Sequence, residues 1–226
     1  MPGLLALVGG AEWRAGCDFD RELLEASGGR EVLVVPTAAA YEHPARAVEA
    51  AERWFGELGA QVRSLPVLTR RDAVAEANAA PLADAAFVYL AAGSPMHLRS
   101  VLKDSPVWDA LVAAWVRGAV VAGSGSGAMV LCDPMVDPRG GAYTVGLGFV
   151  ENVAVFPDHA AAPSHLLERS IELKPSDAVL VGIDAETALV REPDANWSVA
   201  GAGQVTVYAG GSPSSYGAGA SGLTLP

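Results

Sequence analysis

The feature that most limits the fold of this chain is a series of short, largely apolar runs, each followed by a helical stretch. The apolar runs are Leu4-Leu5-Ala6-Leu7-Val8, Glu31-Val32-Leu33-Val34-Val35, Ala86-Phe87-Val88-Tyr89-Leu90 and Ala119-Val120-Val121-Ala122, and the more polar Gln61-Val62-Arg63-Ser64-Leu65 reads as a further strand. Continuous apolar runs of this length are strands buried on both faces, the pattern of parallel sheets. Between them lie helical stretches at 19–27, 43–58, 71–78 and 96–117, the last broken near Ser105-Pro106. In the second, Val48, Ala51, Phe55 and Leu58 fall on one face, and Gly59 is placed to end the helix. Strand and helix in alternation predict a mainly parallel sheet covered by helices on both sides. Sites in such sheets form at the carboxyl ends of the strands.

After Asp133 the pattern changes. The stretch "DPMVDPRGGAYTVGLG" is rich in turn formers. A strand at 153–156 and a helix at 164–173 follow. Short strands at 178–183, 187–190, 197–200 and 204–208 then read as a terminal antiparallel meander. The expected architecture is α/β: a three-layer αβα sandwich with that β meander at its C-terminal end. Residues 1–209 form a single domain, and the Gly/Ser-rich stretch 210–226 is expected to be a flexible tail.

Composition narrows the function classes. The net charge is -11, and no basic cluster is longer than Arg70-Arg71. Nucleic-acid binding is therefore not expected, because phosphate contacts need concentrated positive charge. Cys17 and Cys132 are too few for a disulfide framework and read as small buried residues of a reduced compartment. The apolar N-terminus has no basic lead and is too short to span a membrane, so a soluble cytoplasmic protein is expected. The histidines and cysteines show no metal-ligand spacing, and no metal or cofactor is expected.

The chemistry concentrates at "VVAGSGSGAMVLCD", Val120 to Asp133. A buried strand runs through small residues into a short apolar helix, the setting in which hydrolases hold a serine in Gly-x-Ser-x-Gly. Here the middle of Gly123-Ser124-Gly125-Ser126-Gly127 is Gly125, flanked by two serines. Three registers are open, centred on Ser124, Gly125 or Ser126. A glycine-rich turn that merely packs helix against strand is the structural alternative.

Segments across most of the chain resemble one family. These are "LALVGGAEW", "VLVVPTAAA", "VYLAAGSPMHLRSVL", "GSGSGAM", "GLGFVENVAVFPDH" and "GIDAETALV". In order and spacing they are similar to peptidase family S51, which includes peptidase E and cyanophycinase and has the class I glutamine-amidotransferase-like fold. The resemblance implies a serine-type hydrolase of small peptides or amide bonds, with a preference for acidic residues. It also sets the register: Gly127-Ala128 matches the Gly-Ala after the family's nucleophile, so the serine position falls on Gly125.

The same resemblance implies the other roles. His159 is the general base, and an acid between Gly125 and His159 orients it, with Asp133 preferred over Asp137. The N–H groups of Gly93 and Ser126 form the oxyanion hole, and Ser94, Pro95 and Asp158 contact substrate. The family's Gly-Gly-Asn/Asp loop is Ala92-Gly93-Ser94 here, a second departure close to the first. Asp184, Glu186 and Thr187 are read as holding a turn. Two functions follow: a hydrolase whose nucleophile has moved to Ser126 or, less favourably, Ser124; or an impaired homologue that binds a small ligand or partner in the same pocket. The expected partner is a small peptide or an amino-acid-derived substrate, and a homodimer stays open.

Overall fold

A computed structural model describes residues 1–225. The first half follows the strand–helix order. In sequence the elements are β1 (Leu5–Val8), α1 (Phe19–Ser27), β2 (Glu31–Val35), α2 (Pro44–Glu57), β3 (Gln61–Ser64), α3 (Arg70–Ala73), α4 (Glu76–Ala79) and β4 (Phe87–Leu90). Then come α5 (Pro95–Leu102), α6 (Pro106–Val116), β5 (Val120–Ser124) and α7 (Ser126–Leu131). The break between α5 and α6 falls where Ser105 caps the second helix: its hydroxyl accepts the Trp108 N–H, and Pro106 takes the first helical position.

Seven strands form the central sheet in the order β13 (Trp197–Gly201), β12 (Thr187–Arg191), β1, β5, β4, β2, β3. The five from β1 to β3 are mutually parallel; β12 joins β1 antiparallel, and β13 joins β12 antiparallel. Alternate side chains enter two cores. Val8, Val32, Phe87 and Val120 pack with Phe19 and Leu23 of α1 and Phe55 of α2. Leu5, Leu33, Val88 and Val121 pack with Leu98, Leu111 and Val130 of the helices on the opposite face.

The second half is built from small sheets. Four short strands, β6 (Cys132–Asp133), β7 (Met135–Val136), β8 (Tyr143–Thr144) and β9 (Val150–Glu151), lead into β10 (Val153–Pro157) and α8 (Ser164–Glu172). Then follow β11 (Val179–Ile183), β12 (Thr187–Arg191), β13 (Trp197–Gly201), β14 (Gln204–Tyr208) and β15 (Ser214–Gly217). The C-terminal strands are antiparallel as expected but serve two sheets. β12 and β13 extend the central one, whereas β14 and β15 add to β10 and β11 in the order β10-β11-β14-β15. Val155, Val181 and Val205 of this second sheet share the core of α5–α7.

One expectation is corrected. The stretch from Gly210 is not a free tail, because β15 pairs with β14 in register Val205↔Tyr216. Beyond it, Leu223 exchanges both backbone hydrogen bonds with Trp197 (2.9 and 3.0 Å), and Ala220 accepts the Val199 N–H. Its Gly/Ser composition hides the pairing, since the ladder is made by backbone and few side chains are buried. Deleting residues 210–226 should uncover buried Trp197. We expect a cost of about 3 kcal/mol, the scale of losing the packing of one large aromatic. The thermal midpoint should fall by about 6–12 °C, read by calorimetry.

Asp20 of α1 is fully buried. Its Oδ2 accepts the Trp54 indole N–H at 2.9 Å, and its Oδ1 has no partner among the described residues. Burial pushes the carboxyl up to about 8, against the opposing Trp54 bond and with help from the Glu12 charge. The unfolded carboxyl titrates near 4, so the folded state holds an extra proton between roughly pH 4 and pH 8. Stability contributed by that proton is present below pH 4 and is lost as pH rises through 8. Asp20→Asn should therefore raise the thermal midpoint at pH 8 and give no gain at pH 4.

Candidate active site

The site is assembled around the exit of β1. The Gly125 N–H donates to the Val8 carbonyl (2.9 Å), the Asp158 N–H to that of Gly9 (2.7 Å), and the Glu186 N–H to that of Gly10 (2.9 Å). These bonds bring the end of β5, the end of β10 and the β11–β12 turn to one place at the carboxyl edge of the sheet.

Gly125 has φ 51° and ψ -106° between strand and helix. This is a sharp strand-to-helix turn, in a region of backbone space that L-residues rarely occupy. A Cβ at this position would lie 3.4 Å from the Ala92 methyl, an ordinary contact. The turn has room for a side chain, and Gly125 supplies none.

Neither neighbouring serine fills the gap. Ser124 is fully buried, and its Oγ donates to Glu12 Oε2 at 2.8 Å. As the last residue of β5 it points to the α1–α2 side of the sheet, with Val120 and Ala122. Ser126 is 4% exposed, and its Oγ is buried with no partner among the described residues. Neither hydroxyl is hydrogen-bonded to His159.

His159 opens a 3-10 turn, His159–Ala161, directly after Asp158 in left-handed backbone (φ 49°). Its ring lies over Gly182, where a Cβ would collide with the imidazole. Nδ1 is 3.5 Å from Asp184 Oδ1, within ion-pair reach when the ring is protonated. Asp184 Oδ2 accepts the Gln204 N–H at 2.9 Å, which fixes the carboxylate. Nε2 is 2.8 Å from the Tyr208 hydroxyl. The imidazole therefore sits between an acid and a phenol, and burial raises the titration of that phenol.

The acids named from the sequence lie elsewhere. Asp133 accepts the Gly146 N–H at 3.1 Å and anchors the turn-rich segment beside β9. Asp137 is paired with Arg139, whose hydrogen bonds hold its carboxyl below the usual range. The carboxylate beside His159 is Asp184.

The remaining residues divide similarly. The Gly93 N–H has no acceptor among the described residues, and the N–H of Ser126 opens α7 without an intrahelical partner. Ser94 spends its hydroxyl capping α5 by accepting the His97 N–H, and Pro95 is buried at the first helical position. Asp158 is exposed at the rim. Sequence reasoning missed Glu12 and Tyr208, and read Asp184 only as holding a turn. Asp184 and Glu12 stood in segments already singled out, "GIDAETALV" and "LALVGGAEW". Tyr208 ends an ordinary strand and carried no signal.

A mainly parallel sheet with a strand–elbow–helix at its carboxyl edge, and a histidine–carboxylate pair at the ends of the adjoining strands, defines the class of elbow-bearing α/β folds. The model of peptidase family S51 matches residues 5–196, so the chain belongs to that family. It is 29% identical over 220 residues to a cyanophycinase of Trichormus variabilis, covering 89% of this chain and 72% of that protein. A cyanophycinase of Synechococcus elongatus is 26% identical over 219 residues, with 91% and 67% covered. Among solved structures, a peptidase from an acI-B1 Actinobacterium superposes with a TM-score of 0.89 at 31% identity, covering 100% of this chain and 98% of that one. A putative peptidase E protein from Listeria monocytogenes shares the fold, with a TM-score of 0.67 at 16% identity and coverage of 89% and 100%.

The position of the imidazole can be checked directly. With the Tyr208 hydroxyl donating to Nε2, the ring proton resides on Nδ1, facing Asp184. Nitrogen NMR should report the Nδ1–H tautomer in the wild type. Tyr208→Phe should shift the Nε2 resonance while leaving the fold intact; an unmoved resonance would mean that the phenol does not hold the ring.

Proposed function

We propose that this S51 protein binds a peptide-type ligand at the head of β1, β4 and β5 without forming an acyl-enzyme. The observation that carries the reading is the elbow itself: Gly125 has the backbone of a sharp strand-to-helix turn and no side chain, while the Ser124 hydroxyl is bonded to Glu12 and the Ser126 hydroxyl is buried without a partner among the described residues. Losing the nucleophile of a serine hydrolase costs about six orders of magnitude in turnover in the subtilisin example. A hydroxyl one residue away does not substitute, because reaction geometry tolerates only about an ångström of error.

The rest of a hydrolase site supports ligand binding. The Gly93 and Ser126 N–H groups would receive the ligand's carbonyl oxygen. His159 offers one nitrogen once the Tyr208 hydroxyl is displaced, and Asp184 steadies its other side. The similarity to peptidases and cyanophycinases supports a peptide or amide-linked compound as the ligand. Carboxylates at Asp158 and Asp184 would disfavour a ligand with acidic side chains.

The test is Gly125→Ser. We expect hydrolysis of dipeptides or chromogenic esters to rise at least about a thousandfold, a fraction of what the nucleophile contributes in the subtilisin example. The cost in stability should be about 1–3 kcal/mol, because a side chain now occupies strained backbone. Wild-type protein should take no label from a fluorophosphonate, and the Gly125→Ser protein should take it at residue 125. Efficient hydrolysis by the wild type, with an adduct on Ser126 or Ser124, would overturn the proposal in favour of a relocated nucleophile.

A further inference from the structure

The sheet order places β5 between β1 and β4. Glu12, from the loop after β1, reaches across that order. Its Oε2 accepts the Ser124 hydroxyl at 2.8 Å, and its Oε1 accepts the Ala92 N–H at 3.0 Å. Ser124 immediately precedes the elbow, and Ala92 immediately precedes Gly93. One carboxylate therefore holds Ala92, next to Gly93, and Ser124, next to the elbow residue Gly125.

The loop that carries Glu12 is itself fixed. Ala11 and Trp13, on either side, are both in left-handed backbone (φ 52° and 63°). Non-glycine residues persist there only where their surroundings over-determine them. Those surroundings are visible: the Cys17 thiol donates to the Ala11 carbonyl, and the buried Trp13 ring packs on Tyr89 with centroids 5.3 Å apart.

We propose that Glu12 is a positioning residue, which sets the separation between the Gly93 N–H and the elbow by clamping Ala92 and Ser124 with its two oxygens. This rests on the reading of the pocket as a carbonyl-binding site. The role needs two hydrogen-bonding atoms in a fixed fork, and it does not need the charge. Glutamine can keep both bonds, since its oxygen accepts from Ala92 and its amide donates to the Ser124 oxygen, whereas alanine keeps neither.

Two readouts test it. In the Gly125→Ser protein, Glu12→Ala should lower kcat about a hundredfold with KM changed less than about threefold, the scale of an ångström's misplacement of a reacting group. Glu12→Gln in the same background should restore kcat to within about threefold of its parent, well inside that hundredfold range. In the glycine protein, amide exchange at Ala92 should quicken at least about tenfold in Glu12→Ala, the loss of a bond to a charged acceptor, with Val121 of the sheet unchanged. An unaltered kcat, an unaltered Ala92 exchange rate, or equal quickening at Val121 would each overturn the proposal. If Gly125→Ser itself forms no product, the proposed function fails alone, and the exchange comparison still decides the role of Glu12.

Discussion

The arrangement depends on a close approach of backbone to backbone at the exit of β1. A Cβ on Gly9 would collide with the carbonyl oxygens of Ile183 and Asp184, so only glycine lets the β11–β12 turn settle against the central sheet. The Gly9 N–H donates to the Thr187 carbonyl, and the Gly9 carbonyl accepts from Asp158. Through these contacts one residue brings the histidine-bearing end of β10 and the Asp184 turn beside the elbow. A larger side chain would separate the two sheets where the site lies between them.

The central sheet was legible because its signal is strong and local. Leu5–Val8, Phe87–Leu90 and Val120–Ser124 are buried along their whole length, and burial on both faces erases the polar alternation that would mark an open sheet. The elbow was legible for the same reason: a buried strand cannot pass directly into a helix without small residues. The division of the C-terminal strands between two sheets was not legible. The strands β12 and β14 look alike in sequence, and the partner of each is chosen by the path of the chain between them.

The acid beside His159 was misplaced for an instructive reason. Asp133 and Asp137 stand between the elbow and His159 in the chain, but the turn-rich segment uses both for itself, Asp133 on Gly146 and Asp137 on Arg139. Asp184 reaches the imidazole because β10 and β11 are parallel neighbours, with Pro157 paired to Ile183. Residues just beyond the ends of two parallel strands meet whatever their separation in sequence. Such a pairing becomes visible only once the register of the second sheet is known.

Tyr208, whose hydroxyl meets the imidazole, ends β14, and β15 runs alongside it with Ser214 opposite Val207. The glycine- and serine-rich stretch before β15 thus forms part of the support behind the histidine. Length changes there would not act as they do in a linker, where only reach alters. They would move Tyr208 against the imidazole and change how firmly the phenol holds the ring.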